Sequence, residues 1–203
     1  MQPRQLAWTK RAVFLLGLLP FVRLFVLGAT EGLGANPLEA ITHGTGSWAL
    51  YFLCITLAVT PLRRLTGWNW LIRLRRMLGL YAFFYASLHF IAFLWFDHFF
   101  DLEAMWRDVR KRPFITVGFL AFVLLLPLAA TSTDAAVRRL GRRWQRLHRA
   151  IYLIVPLAVL HFWWMKAGKN DLGEPLLFAV IVAVLLLTRV IAWRRRVRAG
   201  AAA

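Results

Sequence analysis

The chain has 203 residues, 60% of them hydrophobic, 15% aromatic and 17% charged, a composition that excludes an ordinary soluble domain of this size. Its formal net charge of +17 would suit a nucleic-acid binder only if the cations formed one face of a soluble fold, whereas the arginines stand in clusters between long apolar runs; nucleic acid is excluded and the lipid bilayer is the implied partner. The single cysteine, Cys54, excludes an intrachain disulfide and any cysteine-based zinc or iron–sulfur site.

The first apolar segment covers about 12–28 and follows Arg4, Lys10 and Arg11. It resembles a secretory signal, but Arg23 interrupts it and no small-residue cleavage site follows, so it is expected to remain as an uncleaved span. The stretch GLGANPLE at 32–39 does not follow a strand and does not complete GxGxxG, and neither GxxxxGKS/T nor GxSxG occurs anywhere, which leaves no nucleotide-binding domain. Further apolar segments cover about 47–62, 77–96, 114–130, 148–165 and 175–193. Each approaches the length of a bilayer crossing, and in lipid such runs satisfy their backbone groups as helices. The expected fold is an all-α integral membrane protein, a six-transmembrane-helix bundle forming a single domain over 1–203. No internal repeat stands out, and the tail AGAAA reads as disordered.

Orientation follows from the cations. Three lie in the N-terminal segment, five in 61–76, six in 131–149 and four after Trp193, eighteen in all. The alternate side carries none in 29–46, four in 97–113 and two in 166–174, six in all. This positive-inside bias places both termini in the cytoplasm. Asp134 is the only one of nine acidic residues on that side; the other eight form either a docking surface outside or merely solvated loops. Most of the ten tryptophans fall near span ends, as an interfacial aromatic belt would.

An ionisable side chain within a bilayer is a functional candidate by default. His89 in the third span and His161 in the fifth both lie twelve or thirteen residues from the cytoplasmic ends of their helices, hence at one depth in the outer half of the membrane. Two imidazoles at one depth on two helices can clamp a planar cofactor, and a b-type haem takes two axial nitrogens. No CxxCH is present, so the haem would not be covalently attached. Phe83, Phe84, Phe90, Phe162 and Trp163 offer it apolar packing. His148, near the cytoplasmic end of the fifth span, is either an ordinary interfacial histidine or a ligand to a second, inner haem. The third helix offers Arg76 and Met77 at the opposing level, so a second pair of histidines is not supported. On one continuous helix His148 and His161 would stand about 140° apart, unless Pro156 kinks it. Arg75 and Arg76, and less so Arg73, lie where propionates or a phosphate would find a bidentate partner. His43 and His98 fall in outward loops and read as solvated or interfacial, and Arg23 and Arg189 read as snorkelling.

RLRRMLGLYAFFYASLH at 73–89, LAATSTDAAVRRLGRRWQRLHRAIYL at 128–153, LLPF at 18–21 and His161 together resemble the MsrQ (formerly YedZ) family, which is related to the ferric reductase transmembrane domain. The resemblance covers nearly the whole chain. It implies a multi-pass subunit of the bacterial inner membrane that passes electrons from the quinone pool to a periplasmic molybdopterin-containing reductase, which repairs methionine sulfoxide in oxidised proteins. It implies haem b and flavin mononucleotide (FMN), with His89 and His161 as iron ligands and His148 as a further haem-associated position. The competing classes are a histidine-based proton-coupled transporter or channel and a membrane scaffold.

Overall fold

A computed structural model describes residues 2–168 and 170–201. Six helices are long and apolar enough to cross a membrane, one for each apolar segment of the sequence. The first, α1 (Pro3–Ala29), opens on a proline in its first turn and carries Pro20 in its interior. The second, α2 (Pro37–Thr66), is capped by the Asn36 side chain, which accepts from the Glu39 N–H, and ends at Gly67 with φ 72°. That left-handed conformation suits a residue without a Cβ. A single 3₁₀ turn, Asn69–Arg73, leads into α3 (Arg75–Ala92), which continues through a wider π turn, Phe93–Asp97.

A short helix, α4 (Leu102–Lys111), follows at the acid-rich end of the bundle, capped by Asp101. The chain then runs back through α5 (Pro113–Ala130), two short basic helices, α6 (Asp134–Leu140) and α7 (Arg142–His148), then α8 (Ile151–Ala167) and α9 (Gly173–Ala201). The fifth span departs from expectation in one respect. Its helix is interrupted at Arg149–Ala150, so the break lies below Pro156 rather than at it. Helices also outrun their apolar segments, since α2 continues through Arg63 and Arg64 in its last turn, where cations complement the negative end of the helix dipole.

The centre of the bundle is built from α2 packed on α3 and α5 packed on α8, with α9 against α8 and α2. Leu57, Ala82, Tyr85, Ile154 and Val155 are enclosed there. Apolar solvation does not drive helices together in lipid, so close packing and interhelical hydrogen bonds carry the association. Two devices show this. The Tyr85 hydroxyl donates to the Gly17 carbonyl at 2.7 Å and accepts from the Phe21 N–H at 3.1 Å, inserting into the turn of α1 that Pro20 distorts. On the opposite flank, Arg189 of α9 does not snorkel to the interface. Its Nη2 donates to the Leu57 carbonyl of α2 at 2.6 Å, the carbonyl whose usual helical donor is missing because Pro61 has no N–H. The guanidinium carbon lies 5.3 Å from the Tyr152 ring centroid.

Candidate functional site

The site is assembled from α3 and α8, with α2 and α5 behind them. The His89 and His161 rings lie 6.0 Å apart, centroid to centroid, at 73°. Nδ1 of His89 stands 2.9 Å from the Thr42 carbonyl of α2, and Nδ1 of His161 stands 2.7 Å from the Phe114 carbonyl of α5. A carbonyl can only accept, so both Nδ1 atoms carry the proton and both Nε2 atoms keep a lone pair. This is how metal-binding histidines are commonly held, with the far nitrogen tied to a carbonyl. Metal–imidazole bonds of about 2 Å on either side of one ion leave the ring centroids roughly 6 Å apart, so the pair has the spacing of two ligands to a shared metal.

Among the described residues no group of three or more His, Cys, Asp or Glu side chains could hold a metal ion. Two histidines suffice when the metal's remaining positions are filled by its own macrocycle, as in haem. Phe83 and Phe90 of α3 stack on Phe122 of α5, and Phe90 also meets Phe119, forming an apolar seam between the two helices that reaches from the neighbour of His89 to the cavity at the other end, which Phe83 lines. Phe84 and Phe162 are used elsewhere, against Phe21 of α1 and Phe178 of α9.

His148 sits at the opposite, basic end. Its Nε2 is 3.0 Å from the Thr131 hydroxyl, its ring stacks on Trp144 at 3.9 Å, and the Trp144 indole donates to the Thr131 carbonyl at 2.9 Å. The structure brings His148 together with Arg75 and Arg76 around a cavity of about 500 Å³, also lined by Thr56, Arg149 and Tyr152. Thr56 is 7% exposed and its hydroxyl has no hydrogen-bond partner. A buried hydroxyl left unpaired is costly, and the volume is in the range of small-molecule sites. Arg76 is also held by Asp134 at 2.6 Å, and that contact keeps the Asp134 carboxyl below the usual carboxylate range. Arg73 lines a separate hollow with Trp68 and Trp70.

Neither of the other two histidines is in a solvated loop. His43 lies in the second turn of α2, with Nδ1 3.8 Å from Glu39. His98 is enclosed, its side chain 7% exposed, with its ring 4.7 Å from that of Phe93 and Nε2 3.7 Å from Asp108 of α4. The Thr42 and Phe114 carbonyls, Thr131 and Trp144 were not singled out in the sequence, because backbone acceptors and packing partners carry no motif.

The profile for the ferric reductase like transmembrane component matches residues 45–159, which takes in His89 and His148 and ends two residues before His161. The chain is 64% identical over 203 residues to the protein-methionine-sulfoxide reductase heme-binding subunit MsrQ of Herminiimonas arsenicoxydans, covering 99% of this chain and 93% of that protein. It belongs to the MsrQ family. The MsrQ of Bordetella pertussis is 60% identical over 193 residues, with 95% of this chain and 94% of that protein covered. The MsrQ of Ralstonia nicotianae is 59% identical over 204 residues, with 100% and 94% covered.

Proposed function

We propose that this chain is the haem-binding membrane subunit of a protein-methionine-sulfoxide reductase system, acting as one domain over 1–203 in the bacterial inner membrane, with both termini cytoplasmic. The observation that carries the reading is the His89–His161 pair, 6.0 Å apart with both Nδ1 atoms on backbone carbonyls. His89 and His161 would hold the iron through Nε2, while the Thr42 and Phe114 carbonyls fix the tautomer and orientation of each ring. Bound there, haem b supplies one-electron chemistry at its iron. Phe83, Phe90, Phe119 and Phe122 keep the neighbourhood apolar, which favours retention of a hydrophobic macrocycle.

In this proposal electrons come from the quinone pool and leave to a periplasmic molybdopterin-containing reductase subunit that repairs oxidised methionines. A quinol gives two electrons and releases protons, whereas a haem iron would accept one at a time; FMN, if bound, would supply chemistry that reconciles the two. The cavity at the basic end is the place for such a second group. Arg75, Arg76 and Arg149 offer charge to a phosphate or propionate, the Thr56 hydroxyl offers an unused hydrogen bond, and His148 is the further haem-associated position.

The test is optical. Protein purified in mild detergent, from cells with ample haem supply, is expected to show a sharp reduced b-type band that is lost in both His89→Ala and His161→Ala. Colourless wild-type protein would sink the electron-carrier reading and leave the two histidines to proton relay or packing.

A further inference from the structure

Each histidine of the pair faces a glycine on the neighbouring helix, and each accepting carbonyl lies one helical turn before that glycine: Thr42 before Gly46, and Phe114 before Gly118. Gly17 is likewise closed by a ring, that of Tyr81 at 2.5 Å, but other helical glycines are open: a Cβ on Gly28 would meet nothing closer than Leu33 Cδ1 at 3.6 Å. A Cβ on Gly79 would meet nothing closer than a Thr56 methyl at 3.9 Å, whereas one on Gly46 would lie 3.1 Å from Nδ1 and Cε1 of His89. One on Gly118 would lie 2.6 Å from His161 Nδ1 and 2.8 Å from its Cε1.

Helix geometry supplies the reason. Side chains lean toward the helix N-terminus and cover the turn before their own Cα. Any side chain at 46 or 118 would therefore cover the very carbonyl that the imidazole uses. A helical carbonyl already bonded within its own helix retains a second lone pair, and a bare glycine leaves that lone pair open to an incoming N–H.

The arrangement occurs twice in one register. His161 follows His89, and Gly118 follows Gly46, by the same 72 positions. Under the same offset ASLHF at 86–90 falls on AVLHF at 158–162, and the buried Ala49 and Leu53 fall on the buried Ala121 and Leu125. The same offset thus relates these positions on α2 and α3 to those on α5 and α8, a correspondence too sparse to stand out in the sequence. The seat is part of what the two helix pairs share.

We propose that Gly46 and Gly118 are positioning residues for the redox centre: each leaves a bare turn on which the imidazole rests, so that Nδ1–H reaches the carbonyl and Nε2 is held in one orientation. The inference rests on the haem reading above. It assigns the glycines no contact with iron; they act through the histidines.

The experiment compares Gly118→Ala, Gly46→Ala and Gly28→Ala with wild type in the same detergent, reading haem content, reduced visible spectrum, low-spin electron paramagnetic resonance and midpoint potential. Gly118→Ala, with the severe overlap, should displace the His161 ring from its carbonyl, weaken haem retention by roughly 10- to 100-fold, the range for lost outer hydrogen bonds, and abolish or markedly shift the low-spin signal. Gly46→Ala, with the milder overlap, should keep its haem but shift the signal and the potential. Gly28→Ala, on α1 and away from both the histidine pair and the cavity, should match wild type. If Gly118→Ala aggregates, Gly46→Ala decides alone, since its neighbour has to give by only a few tenths of an ångström. Wild-type resonance and potential in Gly46→Ala, or in a monodisperse Gly118→Ala, would overturn the proposal. So would aggregation of both, with Gly28→Ala intact, because the glycines would then serve only helix packing. Colourless wild type would overturn the haem reading itself, whereas coloured wild type with insensitive glycine variants overturns this inference alone.

Discussion

At the residue scale, one charged side chain, Arg189, acts on a defect that a proline creates in the backbone of another helix. Pro61 leaves the Leu57 carbonyl without its helical donor, and Arg189 supplies one from α9 at 2.6 Å. Removing the guanidinium leaves a buried acceptor unpaired, a cost of about 1–3 kcal/mol. Arg189→Ala is therefore expected to lower the unfolding free energy in detergent by about that amount, with the optical spectrum of the His89–His161 site unchanged. The explanation has its own control. In a Pro61→Ala background the residue at 61 regains an N–H, so the cost of Arg189→Ala should shrink, a coupling that a double-mutant cycle measures. Equal costs in the two backgrounds would mean that Arg189 serves the bundle by some route other than the Leu57 carbonyl. The sequence placed Arg189 near a span end and suggested snorkelling; only the position of Pro61 on a different helix, brought alongside by the fold, reveals its partner.

At the scale of elements, the spans were legible because apolar length is itself the physical requirement of a bilayer crossing, so each apolar segment found its helix. What was not legible lies where backbone and side chains cooperate locally. The fifth span is broken at Arg149–Ala150, which removes the single-helix premise behind the expected angle between His148 and His161. His98 is enclosed because α4 folds back along the acid-rich end, which hydropathy alone does not show. An ion pair linking α6 to α3, Arg76 with Asp134 at 2.6 Å, was equally hidden. The Arg76 guanidinium depresses the Asp134 carboxyl, chiefly by hydrogen bonding. A carboxyl whose folded pKa lies below its unfolded one contributes stability above the unfolded value and loses it as pH falls through the folded one. Asp134→Asn should thus be slightly less stable than wild type at neutral pH, slightly because both side chains are exposed and the pair is screened. The difference should close in acid, below the ordinary carboxylate range, and it should also narrow in high salt. Melting curves at neutral and acid pH check this; a difference that persists unchanged in strong acid would assign the effect to the start of α6 rather than to the ion pair.

At the scale of the molecule, the depth match between His89 and His161 was readable because both distances were counted from arginine-marked span ends. The structure places their rings 6.0 Å apart. The correspondence between positions on α2/α3 and α5/α8 was not readable, since it is carried by a few small and histidine positions amid freely exchanged apolar residues. This geometry makes orientation matter. The histidine pair lies toward the acid-rich end and the Arg75–His148 cavity at the basic end, so the direction of electron flow depends on which end faces the cytoplasm. Eighteen cations against six favour the basic end inside. A fluorescent reporter fused after Ala203 should therefore fold and fluoresce, whereas alkaline phosphatase there should be inactive, and phosphatase fused within the loop at Gly34 should be active. Replacing the six arginines of 138–149 with glutamine removes a third of the inner cations and should produce a mixed population by both reporters. Phosphatase activity at the C-terminus of the unmodified chain would reverse the bundle, bring the histidine pair next to the cytoplasm, and make delivery of electrons to a periplasmic partner from that pair untenable.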